Sequence, residues 1–172
     1  MKAVPPPTPP PPAFQPGDRA VHPAHGVGEV LAIETRAAGG QTAAFYVLRI
    51  LESGSKIMVA LAAAASVGLR PVMSPSEAQK VLDILRAPEV AVDEKPWNRR
   101  HRVYTEMLKS GSPFEIAKVL RDMYRLRFDK DLSFAERKLL DQAKGLLIHE
   151  LALATKVERS AIEGELQAIF SG

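Results

Sequence analysis

The segment Trp97-Asn98-Arg99-Arg100-His101-Arg102 holds the chain's only tryptophan and three arginines within six residues. Guanidinium groups pair with phosphate oxygens in forked geometry, and an indole stacks on bases or wedges between them. The combination suits a grip on a nucleic-acid backbone joined to a disturbance of base stacking. The same residues admit a plainer role. Tyr104, seven positions after Trp97, makes an apolar helical stripe with Met107 and Leu108, so Trp97 also fits as a core residue flanked by solvated arginines. Its place in the first turn after Pro96 favours a ring with one face outside. A second basic ridge follows on the next helix, whose buried stripe is Ile116, Val119, Leu120 and Met123. Arg121 and Arg125 share an exposed row there by i,i+4 spacing, with Lys118 adjacent and Arg127 beyond. That row extends an electrostatic track if it faces the same side as Arg99 and Arg100.

Other chemistries fail on spacing. His22 and His25 are three apart, but His101 and His149 are distant and no carboxylate cluster stands at ligand spacing, so the pair reads as structural or solvated and no metal is expected. Asp129 and Asp131 open like a calcium loop, yet Leu132 and Phe134 follow and the turn glycine is missing. Gly26 and Gly28 begin a dinucleotide fingerprint, but Leu31 occupies the third glycine position and a strand pattern follows. No serine sits in a nucleophile elbow and no lysine in a phosphate-binding loop. The absence of cysteine removes disulfides, thiolate nucleophiles and iron–sulfur ligation. No catalytic machinery, cofactor or small-molecule substrate is expected.

The net charge of +3 over 172 residues would not announce a nucleic-acid binder, but its distribution is uneven. Residues 1–95 carry nine basic and nine acidic side chains, residues 96–172 fourteen and eleven, and residues 97–127 eight against three. The positive field is therefore local. Apolar residues make up 46%, enough for a packed core, while no apolar run approaches the roughly 18 residues of a spanning helix. A soluble cytoplasmic protein is expected, with no membrane partner.

The elements that must position these residues follow from the punctuation. Eight of the fourteen prolines fall in the first 16 residues, which predicts a disordered tail over 1–13. Short strands are predicted over 19–22, 26–34, 45–51 and 56–61, with reversals at Gly39-Gly40 and Ser53-Gly54; they suggest a small, bent antiparallel sheet or partial barrel. The alanine run 62–65 reads as a loop or a single turn. After Ser74 the apolar period becomes helical through Val81, Leu82 and Leu85, and 87–96 reads as a connector, so 74–96 is a helix and linker. Helices are predicted over about 97–109, from Ser112 with Pro113 first and Glu115 as capping-box partner, from Ser133 with Glu136 to about 154, and over 158–170. Isolated helices of such length are marginal in water, so they must bury their stripes on one another as a compact all-α domain over 97–172.

The string Gly17-Asp18-Arg19-Ala20-Val21-His22-Pro23-Ala24-His25-Gly26-Val27-Gly28-Glu29-Val30 resembles the CarD/CdnL family of bacterial transcription regulators. So do Ser66-Val67-Gly68-Leu69-Arg70, Trp97-Asn98-Arg99-Arg100 and Asp131-Leu132-Ser133-Phe134-Ala135-Glu136-Arg137-Lys138. The resemblance runs in one order from about Phe14 to Phe170 and is closer to the stand-alone CdnL form than to longer relatives with basic AT-hook tails. It implies an α+β fold: a Tudor-like, RNA-polymerase-interacting β module over 14–73, followed by a helical DNA-binding domain. The implied partners are the polymerase β subunit and promoter DNA in the polymerase–sigma complex, and the implied action is stabilisation of the open promoter complex. Carried over by position, Trp97 becomes a wedge at the upstream edge of the melted region. Arg99, Arg100, Arg102 and Arg137 become backbone contacts. Arg36, Met58 and Ala60 fall where family members contact polymerase; Ala60 departs from the usual proline, and the alanines at 62–65 replace more polar residues. The N-terminal module also resembles that of the transcription-repair coupling factor, but no helicase segment follows here. An autonomous DNA-binding or architectural protein without polymerase docking is the alternative, and a metal-dependent enzyme using the histidines a third.

Overall fold

A computed structural model of the chain describes residues 13–87, 97–129 and 131–171. Of the Pro-rich tail expected over 1–13, residues 1–12 lie outside the described residues, as do residues 88–96 of the connector expected over 87–96; Ala13 is hydrogen-bonded to the β module and Ala87 caps a helix.

Five strands, β1 (Arg19–His22), β2 (Gly26–Ala38), β3 (Gln41–Ile50), β4 (Lys56–Ala60) and β5 (Arg70–Pro71), form one antiparallel sheet in the order β4-β3-β2-β1-β5. β2 and β3 outrun the stretches predicted for them. The cause is the Gly39-Gly40 reversal, where both residues take positive φ, +58 and +80°, as a tight twisted hairpin turn requires. The ladder then closes to the tip, with Ala38 opposite Gln41, and a bulge between Val30 and Ala32 shifts the register once. The alanine run forms a 3-10 turn (Leu61–Ala63) and one α turn, α1 (Ala64–Val67), closed by Gly68 in the left-handed region. Phe14, Ala20, Val30, Tyr46, Leu48, Val59, Ala64 and Leu69 make the core of this module. Phe14 meets Tyr46 edge-on, and the Tyr46 hydroxyl accepts from the Ala13 amide at 2.8 Å, which fastens the start of the module to the sheet.

Five longer helices follow: α2 (Pro75–Arg86), α3 (Trp97–Lys109), α4 (Pro113–Asp129), α5 (Phe134–Thr155) and α6 (Arg159–Ser171). Two start on complete capping boxes, Ser74 with Glu77 and Ser133 with Glu136. The box expected at Ser112 forms otherwise: the Ser112 amide donates to Ser110 Oγ, and Glu115 pairs with Lys118 at 3.0 Å. α2 lays Ala78, Val81, Leu82 and Leu85 into the same apolar cluster as Leu120 and Met123 of α4, Leu147 and Leu151 of α5 and Leu166 of α6. The fold is therefore α+β, a Tudor-like β module followed by helices, as expected from the sequence. No helix among the described residues is long and apolar enough to cross a membrane.

The module and the helices meet in close backbone contact. A Cβ on Gly26, in the β1–β2 turn, would come 3.4 Å from the Gly145 carbonyl of α5, and one on Gly111, between α3 and α4, would come 3.0 Å from Pro23 Cβ. Both glycines also hold positive φ, so a side chain at either would be strained, and at Gly111 Pro23 would in addition have to give way.

Candidate nucleic-acid interface

Two surfaces collect the residues singled out by sequence. The first is the outer face of the sheet. Cross-strand partners share a face, and the register pairs Arg36 with Ala43, Phe45 with both Glu34 and Ala60, and Val47 with Met58. Ala43, Phe45 and Val47 alternate along β3, so Arg36, Met58 and Ala60 stand on one face with them, opposite the core face of Tyr46, Leu48 and Val59. Met58 is 39% exposed, and Phe45 and Val47 are half-buried. Arg36 is exposed and pairs with Glu34 at 3.3 Å. Phe45 and Val47 were not picked out from the sequence; their signal was the alternation itself, which put apolar residues on both faces of one strand. β4 is the sheet's open edge, whereas β5, at the other edge, carries Arg70 into the helices.

The second comprises α3 and the N-terminal half of α5. Trp97 is the first residue of α3, and its side chain lies outside the described residues. Arg99 and Arg102 are exposed on that helix, and Arg100 is half-buried. By i,i+4 spacing Trp97 heads the row of His101 and Thr105, and Thr105, with Leu108 and Lys109, borders a cleft of about 1060 Å³. Phe134, Arg137 and Lys138 of α5 line the same cleft. The structure thus brings Arg137 to the cleft that Thr105, Leu108 and Lys109 of α3 border. Its Nε donates to the Leu132 carbonyl at 3.1 Å, which steadies the stem of an otherwise exposed side chain. Phe134 is 83% exposed at the start of α5, the largest exposed apolar side chain among the described residues. It was missed as a site residue, although its row, shared with Arg137, Lys138 and Asp141, is otherwise polar.

The basic ridge expected on α4 does not form. Arg121 is only 12% exposed and pairs with Asp122 at 3.1 Å, while Arg125 turns back to the Ala87 carbonyl at the end of α2. Both are drawn inward because a carboxylate and an orphan helix-end carbonyl sit within their reach. Arg127 remains exposed. On the module side of the cleft, His22 and His25 face each other with ring centroids 4.8 Å apart, and His22 Nδ1 accepts the Ala24 amide at 3.0 Å. Burial first, and His25 second, hold the His22 pKa below the ordinary histidine value. Among the described residues no three His, Asp or Glu side chains gather as a metal site.

A β module with one open, half-apolar face, joined to a helical domain with an arginine-bearing helix start and an exposed aromatic, defines a two-part α+β protein. Comparison with known proteins gives the family. Residues 14–73 match the family model described as CarD-like/TRCF RID domain, and residues 80–167 that described as CarD, C-terminal domain. The Bacillus subtilis (strain 168) protein named "Putative transcription factor YdeB" is 31% identical over 150 residues, which cover 87% of this chain and 97% of YdeB. The solved CdnLNt from Myxococcus xanthus shares 52% identity over 36% of this chain and 87% of its own, at a TM-score of 0.32. The chain belongs to the CarD/CdnL family and is a transcription regulator of that family, with an N-terminal module of the RNA-polymerase-interacting type.

Proposed function

We propose that the chain docks on the β subunit of RNA polymerase through the outer face and open edge of its sheet and stabilises the open promoter complex with its helical domain. Arg36, Met58 and Ala60 form the docking contact, widened by Phe45 and Val47. Arg99, Arg100, Arg102 and Arg137 contact phosphates without reading sequence, and Trp97 wedges at the upstream edge of the melted region. The observation that carries this reading is Phe134, exposed beside Arg137 and Lys138 on a cleft that the Trp97 helix also borders. An apolar ring with two cations beside it suits unstacked bases flanked by phosphates.

The division of labour explains how a protein of net charge +3 acts on DNA at all. Docking raises the local concentration of a weak DNA binder at the promoter, so few phosphate contacts suffice. The wedge then favours the unstacked state by up to a few kcal/mol per base step. No bond is made or broken. The test is Trp97→Ala, read by thermal unfolding and by the lifetime of competitor-resistant promoter complexes. Near-normal melting with a shortened lifetime is expected, and Trp97→Phe should fall between. If melting collapses instead, Trp97 is a core residue. DNA affinity without polymerase affinity in the full chain would make the protein an autonomous DNA binder.

A further inference from the structure

Helix α5 carries the DNA-facing residues at one end and the grip on the β module further along. Phe134, Arg137 and Lys138 stand in its first turns, and Glu150 lies 16 residues beyond Phe134, about 24 Å along the axis. Glu150 is 0% exposed. Its carboxylate accepts both Arg70 Nη atoms, at 2.5 and 2.8 Å, and the Met73 amide at 2.8 Å. Arg70 Nε donates in turn to the Gly111 carbonyl at 3.0 Å. One side chain of β5 thereby ties the sheet, the α3–α4 turn and α5 together. The neighbouring His149 reaches the other side of the module, with Nε2 2.6 Å from Glu52 Oε2 in the β3–β4 turn, and Arg159 of α6 meets the same carboxylate at 3.2 Å.

We infer that Arg70 and Glu150 are positioning residues: their ion pair, made on a buried Glu150 by a half-buried Arg70, locks α5 to the sheet as a strut, which sets the reach between the docking face and the DNA-gripping end. The inference rests on the proposed function and adds a geometric requirement to it. A buried ion pair contributes little stability compared with apolar side chains of the same volume, so its worth here lies in direction. The forked guanidinium fixes both distance and orientation, which an apolar contact does not. Docking on polymerase delivers the α5 tip to one place only if this joint is closed; a loose joint spreads the tip over a volume and dilutes it.

The chain lacks cysteine, so Thr42→Cys and Gln167→Cys, at exposed positions of β3 and α6, take a pair of spin labels cleanly. The distance distribution between them should be narrow, and Glu150→Ala should broaden it. The same substitution should shorten open-complex lifetime about tenfold, while the affinities of the full chain for a β-subunit fragment and for forked DNA each change less than about twofold. Glu150→Gln, which keeps the shape and the Met73 contact, gives an intermediate result and serves if the alanine variant does not fold. A distribution unchanged in both variants overturns the clamp, and a broadened distribution with unchanged lifetime overturns its positioning role. If the unmodified chain leaves lifetime unaffected, the proposed function falls, and the distance distribution still judges the clamp.

Discussion

The Tyr104 hydroxyl donates to Asp122 Oδ2 at 3.0 Å, joining α4 to the helix that carries the exposed Arg99 and Arg102. Asp122 also accepts from Arg121 Nε at 3.1 Å, so this arginine is drawn toward the helix junction and away from any ligand. Burial, and then the Asp122 charge, raise the Tyr104 pKa above the ordinary phenol value. The arginines therefore divide into two sets with different signatures. Arg99→Ala and Arg102→Ala should each reduce the magnitude of the slope of log affinity against log salt by about 0.9 on duplex DNA and leave stability within about 0.5 kcal/mol. Arg121→Ala and Tyr104→Phe should instead lower stability, by about 1–3 kcal/mol for the phenol, with the slope unchanged. Denaturant unfolding and a salt series of binding isotherms separate the sets.

Phe134 should behave as a surface residue in folding and as a contact in function. Phe134→Ala is expected to shift stability by no more than about 0.5 kcal/mol, whereas Leu139→Ala, roughly one and a half turns along the same helix and buried, should cost about 2–5 kcal/mol. Only the Phe134 change should weaken binding to forked DNA, by about 1–3 kcal/mol if the ring stacks on a base. Equal losses of stability in the two variants would place Phe134 in the core.

The outer sheet face predicts its own disruption. Phe45→Glu or Met58→Glu puts a charge into a half-apolar contact without touching the opposite core face, so folding should survive while capture of the β subunit is lost. A pull-down of polymerase with each full-length variant, beside Thr42→Glu as a control nearer the hairpin tip, measures this. Capture undiminished by both charges would move the docking contact elsewhere.

His22 gives the chain a pH dependence with a definite sign. Its folded pKa lies below 6.5, so its contribution to stability is full above that pH and is lost as pH falls through the lower folded value. His22→Asn keeps a side-chain acceptor for the Ala24 amide and removes the titration. Its unfolding midpoint should decline less than that of the unaltered chain between neutral and mildly acidic pH, measured by denaturant titration at several pH values.

Features that depend on residues three or four apart are legible in the sequence alone. The Ser133–Glu136 box, the reversals at Gly39-Gly40 and Ser53-Gly54 and the stripe Ile116, Val119, Leu120 and Met123 all stand where spacing put them, because caps, tight turns and helix faces are local chemistry. The Ser112 box shows the limit even there, since Lys118 competes for Glu115. What only tertiary structure decides is where each charged side chain spends its charge. Arg121 and Arg125 have the spacing of one solvated row, yet the Ala87 carbonyl, 38 residues away in sequence, takes Arg125 inward. Arg70 and Glu150 are 80 residues apart, and nothing in the spacing signals their pairing. A guanidinium on a helix has the same periodicity whether it meets water, phosphate or a carboxylate, and only the fold brings its partner within hydrogen-bond reach.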